Sequence, residues 1–185
     1  MARKKSKRKG KKIKGYVILI LAVIAMAVSV IAIVSSKYMH HGSETGVPLY
    51  LGASLYGHVN IDTNTWHNIW SLLQPKLGFA NASQQQSTVK ASNIFTMLYN
   101  AEVNNGVSPD IAGSVPHMLV VEASGTLKAI VVGEVQDKEF WSNMLTNNTI
   151  VVVFGLTTCP HCQAMHEFFN KNFSSKAYFL WIDKD

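Results

Sequence analysis

The stretch Thr149 to Cys162, TIVVVFGLTTCPHC, constrains this chain more than any other. TIVVVF is a near-continuous β-branched run, the pattern of a strand buried on both faces. Gly155 to Thr158 reads as a short loop. Pro160 suits a first helical turn, because it has no N–H to lose there. The pattern predicts a strand over 149–154 and a helix over 159–172, with two thiols where that helix begins.

Cys159 and Cys162 are the only cysteines of the chain. At a helix N-terminus the unpaired backbone N–H groups and the helix dipole favour negative charge. A thiolate is negative, so this placement is expected to lower the pKa of Cys159. His161, when protonated, adds a second positive partner. Cys162 stands near enough to resolve a mixed disulfide on Cys159, the arrangement that thiol–disulfide exchange needs. A rival chemistry is metal binding through Cys159, Cys162 and His166 on one helical face, with His117 or His161 adding a ligand, although His166 reads first as an exposed helix residue. Structural zinc normally takes four protein ligands, so Cu(I) held by two thiolates is the more credible metal. A purely structural disulfide is the third reading. A bridge across so short a loop stabilises little, which argues against it.

Charge is strongly asymmetric. Residues 1–15, MARKKSKRKGKKIKG, carry nine of the 17 Lys and Arg and no acid. The remaining chain has eight basic and 11 acidic residues. The high pI therefore belongs to a tail, and a basic nucleic-acid-binding face is not expected. Residues 16–36, YVILILAVIAMAVSVIAIVSS, then run 21 positions without charge, Gly or Pro. At about 1.5 Å per residue such a helix spans roughly 30 Å of hydrocarbon. Ala25-Met26-Ala27 imitates a signal-peptidase site, but the apolar run continues past it, so the reading is an uncleaved signal anchor. The basic cluster stays in the cytoplasm and the rest faces outward, in a single-pass cell-membrane protein. Disulfides persist on that side of a membrane. Sequons at Asn81, Asn147 and Asn172 permit glycosylation there.

The expected organisation is a basic cytoplasmic tail (1–15), a transmembrane helix (16–36), a linker (37–46) and a folded domain (47–185). His40 and His41 in the linker read as a solvated pair. Residues 47–59 contain a strand. Residues 64–77 form a helix with Trp66, Ile69, Trp70 and Leu73 inward and Pro75 near its end. Residues 80–87 form a polar loop and 88–104 a second helix, with Val89, Ile94, Met97, Leu98 and Ala101 available for burial. A β-hairpin covers 117–122 and 126–132 around Ala123-Ser124-Gly125. A helix follows over 136–145, and 177–182 is the last strand.

These residues resemble the thioredoxin superfamily. VVVFGLTTCPHC is similar to its strand–loop–CxxC–helix segment, and Cys-Pro-His-Cys to the quartet of the periplasmic disulfide oxidases. GSVPHMLVVEASGTLKAIVVGE resembles the cis-proline strand and hairpin of the same superfamily. The resemblance covers roughly 88–185 and implies an α/β fold, a mixed sheet flanked by helices. It implies a redox-active disulfide Cys159–Cys162 and no other cofactor. Cys159 would be the exchanging sulfur and Cys162 the resolving one, with Pro160 and His161 tuning the thiolate. Val115 and Pro116 would shape a groove for extended polypeptide, with His117 either beside the site or a partly exposed strand residue. Partners would be thiols and disulfides of exported proteins, and a redox partner protein, membrane-bound in one arrangement. Cys-Pro-His-Cys and the outward placement favour an oxidase over a reductase or isomerase.

Two features depart from the family pattern. Val153 stands six residues before Cys159, where members often place a buried carboxylate. The hairpin also precedes the CxxC unit instead of following it. A circular permutation with its core at 88–185 accounts for that order, and is the arrangement expected here. The alternative is a cysteine-free domain at 47–147 followed by the opening of a second domain.

Overall fold

The computed structural model describes residues 46–79 and 88–184. The basic tail, the apolar run at 16–36, nearly all of the linker and the polar loop at 80–87 lie outside the described residues. No helix among the described residues is long and apolar enough to cross a membrane.

The chain enters through β1 (Val47–Leu51) and β2 (Ser54–Val59), an antiparallel hairpin. Sequence reading expected a single strand here. Gly52, at φ 59, supplies the reversal that makes two. Helix α1 (Thr63–Lys76) starts where the Asp62 carboxylate accepts hydrogen bonds from the N–H groups of Asn64 and Thr65. Pro75 sits in its last turn, and the helix ends one residue later. Helix α2 (Ala91–Asn104) leads to a short helix α3 (Pro109–Ala112), capped by Ser108, which the sequence reading did not anticipate.

The second half is the hairpin β3 (His117–Glu122) and β4 (Leu127–Val132), then α4 (Lys138–Met144), β5 (Thr149–Gly155), α5 (Pro160–Asn172) and β6 (Ala177–Trp181). All six strands form one mixed sheet in the order β2-β1-β4-β3-β5-β6. The β5/β6 and β1/β4 pairs are parallel, and the other neighbours are antiparallel. The β3/β5 ladder runs from His117 opposite Phe154 to Glu122 opposite Thr149, so residues on both sides of position 148 share this sheet.

Side-chain alternation sorts the sheet into two cores. Leu119, Val121, Ile130, Val152 and Phe154 face α1 and α2, where Ile69, Leu73, Ile94 and Leu98 are buried. Met118, Val120, Val131, Val151 and Val153 face the other way, onto Trp141 of α4 and Met165 and Phe169 of α5. Full burial of each such side chain contributes about 1.5–3 kcal/mol. The α/β class follows directly: a sheet apolar on both faces needs helices on both. In α1 the stripe is core as expected at Ile69, Trp70 and Leu73, whereas Trp66 is half-buried and donates its indole N–H to the Gly125 carbonyl at 2.6 Å. In the helix expected over 88–104, Val89 and Met97 are only half-buried, and Glu102 joins the buried face instead.

Candidate functional site

The two cysteines lie where β5 hands over to α5. Cys159 is the helix N-cap, with extended backbone, and its own sulfur accepts the hydrogen bond from the Cys162 N–H at 3.2 Å. This is the position a serine or aspartate oxygen usually takes. Cys159 is half-buried and Cys162 fully buried, and both are free thiols. Burial, and then the neighbouring Cys159, push the Cys162 thiol up to about 12. The two sulfurs therefore differ in access, with Cys159 outward and Cys162 behind it.

Gly155 makes this packing feasible. A Cβ placed on it would sit 3.2 Å from Cys162 Cβ, 3.3 Å from Trp181 Cζ3 and 3.4 Å from Cys162 Sγ. The loop that follows is tied at two points. Asp183, just past β6, accepts from the Thr157 N–H at 3.0 and 3.1 Å and from the Thr157 hydroxyl. These hydrogen bonds hold the Asp183 carboxyl below its ordinary range. Gln163 donates its amide to the Thr157 carbonyl at 2.6 Å.

Across from Cys159 stands the Val115–Pro116 peptide, which is cis. The Val115 carbonyl oxygen lies 3.9 Å from Cys159 Sγ. Val115 and Pro116, with Gly133, Glu134, Gln136 and His161, line a groove of about 480 Å³. A second cavity of about 360 Å³, beside Trp66, Trp70 and Gly125, lies at the other end of β3, away from the cysteines. The fold thus brings together Cys159, Pro160, His161, Cys162, Val115 and Pro116.

It does not bring in His166. That ring packs against Phe179 and Trp181, at centroid distances of 4.7 and 5.6 Å, and lies within reach of the Asn170 amide. No three His, Cys, Asp or Glu side chains among the described residues are grouped to hold a metal, so Cys159, Cys162 and His166 form no such set. His117 is not the partly exposed strand residue of one expected reading. It is fully buried, its Nε2 lies 2.9 Å from Glu102 Oε1, and it faces α2 on the side of the sheet opposite α5. Val153 is buried against α5, with Met165 and Phe169 in the same apolar cluster.

Two acids went unnoticed in the sequence. Glu102 continues the Ile94, Leu98, Ala101 spacing, so a carboxylate inside an apolar stripe was a readable sign of a buried partner. Glu134 reaches His161 Nδ1 at 2.6 Å, and its place beside the hairpin exit carried no local signal. Comparison with protein-family models, curated proteins and solved structures found no match.

Proposed function

We propose that this chain is a membrane-anchored thiol–disulfide oxidoreductase acting on exported proteins, with Cys159 as the exchanging sulfur and Cys162 as the resolving one. The observation that carries the reading is the asymmetric cysteine pair. An accessible Cys159 at a helix N-terminus faces the Val115 carbonyl across a groove, and a buried, high-pKa Cys162 stands behind it. The strand order β6-β5-β3-β4, with β5 parallel to β6 and antiparallel to β3, supports a permuted thioredoxin-like domain.

In the oxidising direction a client thiolate attacks Cys159 Sγ of the Cys159–Cys162 disulfide. The S–S bond breaks, a mixed disulfide forms on Cys159, and Cys162 departs with the electron pair and takes up a proton. A second client thiolate attacks its own sulfur in that mixed disulfide and releases Cys159 as thiolate. The client leaves as a disulfide and the chain is left reduced by two electrons, to be reoxidised by a redox partner protein. The reverse sequence reduces a client disulfide. Val115 and Pro116 offer the client a strand-like backbone edge. The apolar run at 16–36 would hold the domain at the outer face of the membrane.

The test is the redox equilibrium of the full chain in detergent against glutathione, read by alkylation and mass at Cys159 and Cys162. A reversible two-electron couple is expected, and Cys159→Ser is expected to abolish exchange. Absence of a couple overturns the reading, and tight Cu(I) binding in its place would assign the thiols to metal transfer.

A further inference from the structure

The groove wall carries a carboxylate for which the cysteine pair alone gives no reason. Residues on both sides of it are pinned. Gly133, at φ 95, turns the chain out of β4 and donates its N–H to the Pro116 carbonyl at 2.9 Å. The Val135 N–H is directed to Met165 Sδ at 3.2 Å, and its carbonyl accepts from the Trp141 indole at 2.7 Å. Between these anchors Glu134 projects across the groove. Its Oε1 accepts from the Gln136 amide at 2.5 Å, and its Oε2 lies 2.6 Å from His161 Nδ1. The Glu134 carboxyl is held below its ordinary range, first by the His161 hydrogen bond and then by Gln136.

A carboxylate on one ring nitrogen decides what the other can do. With Nδ1–H directed to Glu134, the neutral His161 imidazole presents Nε2 as a lone-pair acceptor. Nε2 has no partner among the described residues, and the ring lines the groove. Resting on the oxidoreductase reading above, we propose that Glu134 is a positioning residue that fixes His161 with Nε2 free to accept the proton of an incoming polypeptide thiol. The client S–H gives its proton to Nε2 and the resulting thiolate attacks Cys159 Sγ. The Cys159–Cys162 bond breaks with its electron pair on Cys162 Sγ, which takes up a proton. The imidazolium later returns its proton to solvent. Glu134 beyond β4 is the charged group in contact with this ring; on the neighbouring elements Cys159 caps α5, Cys162 lies in its first turn, and Asp183 beyond β6 binds the Thr157 loop.

The experiment follows the attack of reduced glutathione on the oxidised full chain, with the Cys159 mixed disulfide read by mass, as a function of pH. Below the probe's own thiol pKa of about 8.5, Glu134→Gln should slow attack about tenfold, a fraction of the hundredfold or more that a positioned base contributes. Above it, where glutathione is already a thiolate, the variant should match the parent. Glu134→Asp should recover part of the rate, and in a His161→Ala background Glu134→Gln should change nothing further. Equal slowing at every pH, or an undiminished effect in the His161→Ala background, overturns the proposal. If the parent itself forms no mixed disulfide, the oxidoreductase reading fails. The ¹⁵N shifts of the His161 ring then decide the positioning separately: loss of the Nδ1–H tautomer in Glu134→Gln supports it, and an unchanged ring overturns it.

Discussion

Two glutamate–histidine pairs flank the Val115–Pro116 peptide, and their environments are opposite. Glu102 and His117 lie 2.9 Å apart with both side chains 0% exposed, on the α2 face of the sheet. Glu134 and His161 lie closer, at 2.6 Å, with the histidine 70% and the glutamate 29% exposed. Distance would rank the second pair as the stronger, but solvent reverses the order. An exposed pair exchanges one set of hydrogen bonds for another in high dielectric and contributes about 0–1 kcal/mol. A buried pair contributes little as a unit, because both groups were desolvated, yet removing one member strands the other. The buried pair therefore governs whether this end of the sheet stays folded. The exposed pair can ionise, move and meet a ligand without unfolding anything.

The widest separation between the pairs should come from Glu102→Leu. It leaves His117 buried with neither ring nitrogen hydrogen-bonded, and is expected to cost about 1–3 kcal/mol in denaturant unfolding. Glu102→Leu combined with His117→Leu should recover most of that loss. A double variant as unstable as the single one would mean that packing, and not the stranded imidazole, sets the cost.

Cys162 extends the contrast to a thiol. Its folded pKa is raised from 9.0 to about 12, chiefly by burial. A raised value favours the protonated form in the folded state. The associated stability is thus fully present below 9 and is lost as pH rises towards 12. The reduced chain should lose stability across that window more steeply than Cys162→Ala does, with urea midpoints measured on both sides of it. Parallel slopes would show that the thiol ionises as readily in the fold as outside it.

The smallest effect belongs to the exposed pair. Glu134→Gln should shift the unfolding free energy by no more than about 1 kcal/mol, even where it changes the exchange rate. A larger loss would move Glu134 into the same class as Glu102 and erase the comparison.

What could be read in the residues follows the same division. Period and run length exposed β5, the β3–β4 hairpin, α5 and the α1 stripe, because burial of one or two faces leaves a repeating mark on sequence. The cysteine spacing is a local pattern, whereas Val115–Pro116 was singled out only through the thioredoxin resemblance; the fold sets the two against each other. Glu102–His117 and Glu134–His161 join residues 15 and 27 positions apart, and only the folded sheet makes them neighbours. His166 entered only the rival metal reading. Its helical spacing from the cysteines suggested one shared face, but β6 supplies Phe179 and Trp181 to cover the ring. The short α3 was missed because a single turn is too brief for any period to show, although Ser108-Pro109 was a readable cap.

Gly155 has one more consequence. Because it lacks a side chain, the Trp181 ring and Cys162 Sγ both come within 3.4 Å of the same point in space. The other tryptophans sit elsewhere, Trp66 and Trp70 at the far end of β3 and Trp141 on α4. A disulfide quenches indole emission at short range more strongly than a protonated thiol, the form that burial favours at Cys162. The chain consequently contains its own optical gauge: oxidation of the cysteines should dim Trp181 selectively, and Trp181→Phe should make the fluorescence blind to redox state.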